Sequence, residues 1–259
     1  MTPLLPLLAK ALSTAAVVVL ASVMAEAFGP FWGALVTSLP IATGPAYVFL
    51  ALDHSDSFIA TAALNSFVSI SALLVFLITY ALIGQRLRPL LSLGSALLTW
   101  MVASLILRMI NWTVPLALLM DTVAFFAAFR IARRVQVVLP FPRKPMARRW
   151  YDLPLRGAIV GSFVLLVVSV ADLLGPQATG IASVFPITLT SLLLLLRPRV
   201  GAAEAVMVTL ITVRGMIGLS GFLMTLHLTA IPLGAPWALV AGLGTSFAWS
   251  GVMMARRKR

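Results

Sequence analysis

Long apolar runs separated by short polar punctuation fill this chain from end to end. A bilayer crossing needs about 20 mostly apolar residues. Nine segments meet that length: 11–28, 30–52, 57–83, 89–110, 113–134, 156–174, 176–196, 201–229 and 235–255. The third and eighth are long enough to be tilted. Two stretches share one pattern. Glu26 precedes Gly29-Pro30 and then Pro40-Ile41; Asp172 precedes Gly175-Pro176 and then Pro186-Ile187, all at an offset of 146. Pro89 and Pro236 each open the fourth span of their half. Allowing a three-residue loop difference, Ser69-Ile70-Ser71 aligns with Gly218-Leu219-Ser220, and Asn65 aligns with Arg214.

Charge placement gives these spans a direction. With the N-terminus outside and the C-terminus inside, sixteen of the nineteen Lys and Arg fall in inner loops or the inner tail. That is the positive-inside pattern. The first span then runs inward and its counterpart, the sixth, runs outward. Spans one to four and six to nine are therefore inverted repeats about an axis in the membrane plane, and span five is the odd helix that flips the second copy. The expected fold is an all-α polytopic membrane protein. It comprises a first repeat (1–110), a linker helix (111–134), a basic cytoplasmic loop (135–155) and a second repeat (156–259) with a basic cytoplasmic tail. A bacterial inner membrane is the simplest setting. The loop, with Pro140, Pro142, Pro145 and Arg148-Arg149-Trp150-Tyr151, reads as a segment lying on anionic lipid. Met1–Ala27 also resembles a signal peptide, ending in Ala25-Glu26-Ala27. Its match to mid-chain residues 157–174 favours a retained first span.

Composition narrows the partners. The chain is 61% hydrophobic and 10% charged, against about 25% charged in soluble domains, so its solvent is lipid. The net charge of +12 suggests nucleic acid until its clustering in short loops is noticed; no nucleic-acid partner is expected. Two histidines, no cysteine and no ligand cluster point to no metal, cofactor or redox chemistry. Homo-oligomerisation stays open.

Ala34-Leu-Val-Thr-Ser-Leu-Pro40 and Gly180-Ile-Ala-Ser-Val-Phe-Pro186 share a pattern of small residues, a proline and a long apolar run. This pattern resembles the second helix of the small GlpM-type membrane proteins, and the span count of each half matches theirs. The resemblance implies a fused pair of four-helix units that are elsewhere encoded singly. It carries over no substrate and no site residues.

Few residues are left to carry chemistry. Pro40 and Pro186 fall near the middle of spans two and seven, and Gly44-Pro45 marks a second break. A mid-helix proline frees the carbonyl four residues earlier, which in lipid needs a partner or a cavity. Thr37, Ser38 and Thr43 flank one break; Ser183, Thr188 and Thr190 flank the other. These are either two halves of a shared midplane binding site or kinks healed by hydroxyls. Arg214 lies inside span eight, where burial costs on the order of 3 kcal/mol and deprotonation offers no escape. It reads as an anion-binding guanidinium or as a structural partner of Asp121 or of freed carbonyls. Asp121, inside span five, reads as a proton- or charge-coupling group or as one half of a static pair. Glu26 and Asp172 read as dipole-favoured caps or as symmetric gating acids.

Gly218-Leu-Ser220-Gly221 matches an intramembrane serine-protease pattern, but His227 stands about 10.5 Å further along the same helix, beyond reach of the serine. No enzyme activity is expected. The leading expectation is a secondary transporter for a small or amphiphilic, anionic solute. Its site would be formed by Arg214, Asn65, Thr37, Ser38, Pro40, Thr43, Ser183, Pro186 and Thr188, with Asp121, Glu26 and Asp172 in coupling. A flippase for an anionic lipid head group, and a channel or scaffold of envelope biogenesis, are the alternatives.

Overall fold

A computed structural model of the protein describes residues 40–137 and 151–257, with helical positions at 12, 13, 16, 19 and 20. The described residues form nine helices and no strand: α1 (Thr43–Asp53), α2 (Asp56–Ile83), α3 (Pro89–Arg108), α4 (Val114–Ala132), α5 (Asp152–Ser169), α6 (Ala171–Ser183), α7 (Ile187–Val200), α8 (Ala202–Leu233) and α9 (Ala235–Arg257). Six of them are long and apolar enough to cross a bilayer, and the pair α6–α7, bent by 41° at its break, makes a seventh candidate. The protein is an all-α integral membrane protein. Glu26, Thr37, Ser38 and most of the basic loop lie outside the described residues.

Helix ends follow local chemistry. Ser55 caps α2 by accepting the Phe58 N–H at 3.3 Å. Asp56 accepts the Ala235 N–H at 2.8 Å and so ties the start of α2 to the start of α9. Pro89 opens α3, where its missing N–H costs nothing. The second break expected at Gly44-Pro45 does not occur. Both residues lie in the first turn of α1, where backbone N–H groups have no helical partner anyway. The Gly175-Pro176 pair makes a reversal: Gly175 has φ +72°, a conformation that favours glycine, and Pro176 follows as the chain turns toward the second half of α6.

Two antiparallel helices, α2 and α8, form the centre. Ile59, Ile70, Phe76 and Leu77 of α2, and Val206, Val213 and Phe222 of α8, are fully buried. The outer helices α3 and α4 expose Leu98, Leu105, Leu119 and Phe126, as lipid-facing surfaces do. Lipid tails are as apolar as leucine, so close packing rather than water exclusion holds such helices together, and small residues mark the crossings. Gly242 of α9 packs on Phe222, and Gly218 of α8 packs on Ser246 and Trp249 of α9. The tightest crossing is α6 on α2, where any Cβ at Gly180 would run into the Ala62 carbonyl.

The charged ends of α5 and α7 meet. Arg199 is ion-paired with Asp152. Arg197 is buried; its guanidinium donates to Ser92 Oγ at 2.9 Å and to the Leu87 carbonyl, and lies 6.0 Å from the centre of the Tyr80 ring.

Gly180→Ala is expected to lower stability by about 1–3 kcal/mol, the range for overpacking, because a backbone carbonyl cannot rotate aside. Gly94, exposed on α3 with open space around it, is the control: Gly94→Ala should be neutral or stabilising. Thermal unfolding in detergent reads both. Equal effects would show that the α6–α2 approach is not the constraint it looks to be.

Candidate functional site

The break at Pro186 leaves two carbonyls of α6 without helical donors. Val184 N–H turns to Ile181 O at 3.3 Å and Ile187 N–H to Phe185 O at 2.7 Å, which releases Gly180 O and Ser183 O. The first half of the chain satisfies both. Ser66 Oγ donates to Gly180 O at 2.6 Å, and Thr43 Oγ1 donates to Ser183 O at 3.1 Å. Tyr47 OH lies 2.7 Å from Ser66 Oγ and extends the network into α1. Ser183 Oγ turns back to Thr179 O at 2.8 Å. Thr43 and Ser183, singled out from sequence, therefore meet, each beside a proline break. Pro40 and Pro186 are both buried next to this junction. Each also starts a new helix in the same manner, Pro40 O accepting from Gly44 N–H at 2.6 Å and Pro186 O from Thr190 N–H at 2.7 Å. Thr188 and Thr190 differ from the rest: their hydroxyl oxygens are buried with no hydrogen-bond partner.

Arg214 is not part of this junction. Its side chain is exposed, and its carbonyl accepts the Trp249 indole N–H at 3.0 Å. Asn65 spends its amide on its own helix, donating to Thr61 O at 2.9 Å. Nor do the two share a depth. His227 Nδ1 lies 2.8 Å from Ala60 O, and Gly84 packs on Val206; these contacts set the α2–α8 register. In that register Arg214 is level with Leu73–Phe76, roughly 12–16 Å along the axis from Asn65.

Asp121 lies deep inside. It is 6% exposed, and it faces the Ser220 hydroxyl of α8. Asp121 Oδ1 and Ser220 Oγ are both buried without a hydrogen-bond partner. Asp172 is at the opposite extreme. Its side chain is 91% exposed and its carboxylate lies 3.1 Å from Nε2 of His54, whose ring stacks on Phe58 at 4.1 Å. That contact joins the end of α1 to the start of α6 across the two halves.

Two open cavities flank the centre. One, of about 470 Å³, lies between α2, α3 and α4 and is lined almost wholly by apolar side chains, with Ser71 and Thr79 as its hydroxyls. The second, of about 370 Å³, includes Pro40, Gly44, Pro45, Phe222 and Leu243. No group of three or more His, Asp or Glu side chains able to hold a metal exists among the described residues. Ser66, Tyr47 and Arg197 are the residues that sequence reasoning passed over. The first two had a signal, since a freed carbonyl in lipid requires a donor; nothing in the sequence marks which hydroxyl supplies it. Compared with known protein families, characterised proteins and solved structures, the chain matches none.

Ser66→Ala is expected to cost about 1–3 kcal/mol, because it leaves the Gly180 carbonyl unpaired and buried. Tyr47→Phe should cost less, and the double variant should fall short of the sum of the singles, since the two hydroxyls share one network. Unfolding of the four proteins in detergent gives the coupling. Simple additivity would show that Tyr47 does not act through Ser66.

Proposed function

We propose that the protein is a secondary transporter that moves a small or amphiphilic solute by alternating access. The observation that carries this reading is the contact between the break of α6–α7 and the start of α1, just after Pro40, where Thr43 donates to the Ser183 carbonyl. Broken helices that converge at the midplane of inverted repeats are a common way to build a transport site. The partnerless hydroxyls of Thr188 and Thr190 beside the break offer hydrogen bonds to a solute. Asp121 is the coupling group in this reading. Arg214, exposed on α8, gives no support to a central anion site, so the reading no longer specifies an anionic solute. The loop charges favour a cytoplasmic C-terminus and a bacterial inner membrane.

A second reading, translocation of a lipid, is favoured by the sideways-open apolar cavity between α2, α3 and α4.

The chain contains no cysteine, so single-cysteine variants need no altered background. Thr188→Cys in proteoliposomes should react with a membrane-impermeant maleimide applied from either face. Addition of a transported solute, found from a panel of carboxylates, phosphates and amines, should shift the balance between faces. No labelling from one of the two faces would sink alternating access at this junction. Movement of fluorescent phospholipid between leaflets by the same proteoliposomes, without any solute effect, would move the assignment to lipid translocation.

A further inference from the structure

Three partnerless polar groups share one depth at the heart of the molecule. Ser71 of α2 is 2% exposed, Ser220 of α8 is 6% exposed and Asp121 of α4 is 6% exposed. Ser71 Oγ, Ser220 Oγ and Asp121 Oδ1 are all buried without a hydrogen-bond partner. In the α2–α8 register set by the His227–Ala60 and Gly84–Val206 contacts, Ser71 is level with Met216–Leu219 and Ser220 with Phe67–Ile70. The cavity between α2, α3 and α4 brings Ser71 and Ala72 of α2 together with Met120 and Val123 of the parallel helix α4, which places Asp121 near the depth of Ser71. All three groups thus fall within about one helical turn, near the middle of both central helices. The serines are also equivalent positions of the two repeats. The aspartate comes from the helix that belongs to neither.

We infer that Asp121, Ser71 and Ser220 form a midplane site for one monovalent cation, H⁺ or Na⁺. The chemistry is that of a hard cation, which takes oxygen ligands. A lone carboxylate in hydrocarbon is costly unless its charge is met, and one monovalent cation meets it fully. A divalent ion would leave a net positive charge in the same place, and an anion would add to the negative one. The two hydroxyls complete the set: each can accept from a protonated carboxyl, or turn its lone pairs to Na⁺ while its own proton goes to a carbonyl. Of the three, Ser71 also borders the cavity between α2, α3 and α4.

This inference rests on the transporter reading only in calling the cation a coupling ion; the binding itself is measured without transport, so either can fail alone. The purified full chain is titrated with NaCl against choline chloride at constant ionic strength, with unfolding temperature as readout, since a ligand of the folded state raises it by mass action. In parallel, infrared difference spectroscopy across a pH titration follows the C=O stretch of a protonated carboxyl. If the ion is Na⁺, NaCl stabilises the wild type, Asp121→Asn abolishes the effect, and Ser71→Ala and Ser220→Ala each weaken the apparent affinity by about tenfold, as loss of a ligand to a charged group does. If the ion is H⁺, NaCl does nothing specific, and a carboxyl band titrates in the wild type. That band is missing in Asp121→Asn and displaced in both serine variants. Asp121→Asn keeps the shape of the side chain, and its own unfolding curve shows whether it folds. Neither a Na⁺ effect nor a titrating band lost in Asp121→Asn overturns the site. A signal that depends on Asp121 but is indifferent to both serines overturns it as a three-group site.

Discussion

A carbonyl released inside a bilayer must find a donor, because no water is there to supply one. The break around Pro186 turns the Val184 and Ile187 N–H groups to Ile181 O and Phe185 O, which releases Gly180 O and Ser183 O, and the answer comes from the other half of the chain through Ser66 and Thr43. The rest of the centre follows from this. Ser66 reaches Gly180 because α6 presses directly onto α2, and it presses so closely because position 180 has no Cβ to hit the Ala62 carbonyl. Tyr47 then has a fixed partner in Ser66, which positions α1 beside the break. One break in a helix is thus answered by a serine, a threonine and a tyrosine from α1 and α2, brought within reach by a glycine at the crossing.

Six or seven of the nine expected spans have apolar helices long enough to cross a bilayer, and these were legible in the sequence because lipid imposes a simple rule. α2 is Asp56–Ile83 where 57–83 was expected, and α4 is Val114–Ala132 where 113–134 was expected. The sixth span departs most, ending at Ser169 because the chain must already turn through Val170 to reach the Gly175 reversal. The facing of side chains was not legible. α8 is apolar around most of its circumference, so nothing in its periodicity says whether position 214 points inward. The glycines beside it, Gly218 and Gly221, face α9; they mark a helix contact, and Arg214 lies toward the same partner.

On the inverted-repeat reading of the sequence, Asn65 and Arg214 would be equivalent positions that do not meet. An axis in the membrane plane maps α2 onto a helix running the opposite way. A residue before the centre of one helix is therefore carried to a residue before the centre of the other, and the two end up on opposite sides of the midplane. Only equivalent residues near the crossing coincide in depth. Ser71 and Ser220 satisfy that condition, while Asn65 and Arg214, each six residues earlier, do not. Alignment of two halves identifies equivalent positions; distance from the axis decides which of them can touch.

The same reasoning gives the central cluster its character. Groups on the axis stay equidistant from the two membrane faces when inverted halves exchange conformations. The shared hydroxyls of Ser71 and Ser220 would keep their depth through such an exchange, whereas an off-axis charge such as Arg214 would not. A site built by the repeats alone would be symmetric and neutral. In the proposed site the single carboxylate comes instead from α4, the helix outside both repeats on that reading, and one carboxylate at the depth of the two hydroxyls can be neutralised by one positive charge. In the proposed arrangement, the linker helix that would allow the second repeat to be inverted would also give the symmetric centre its sign.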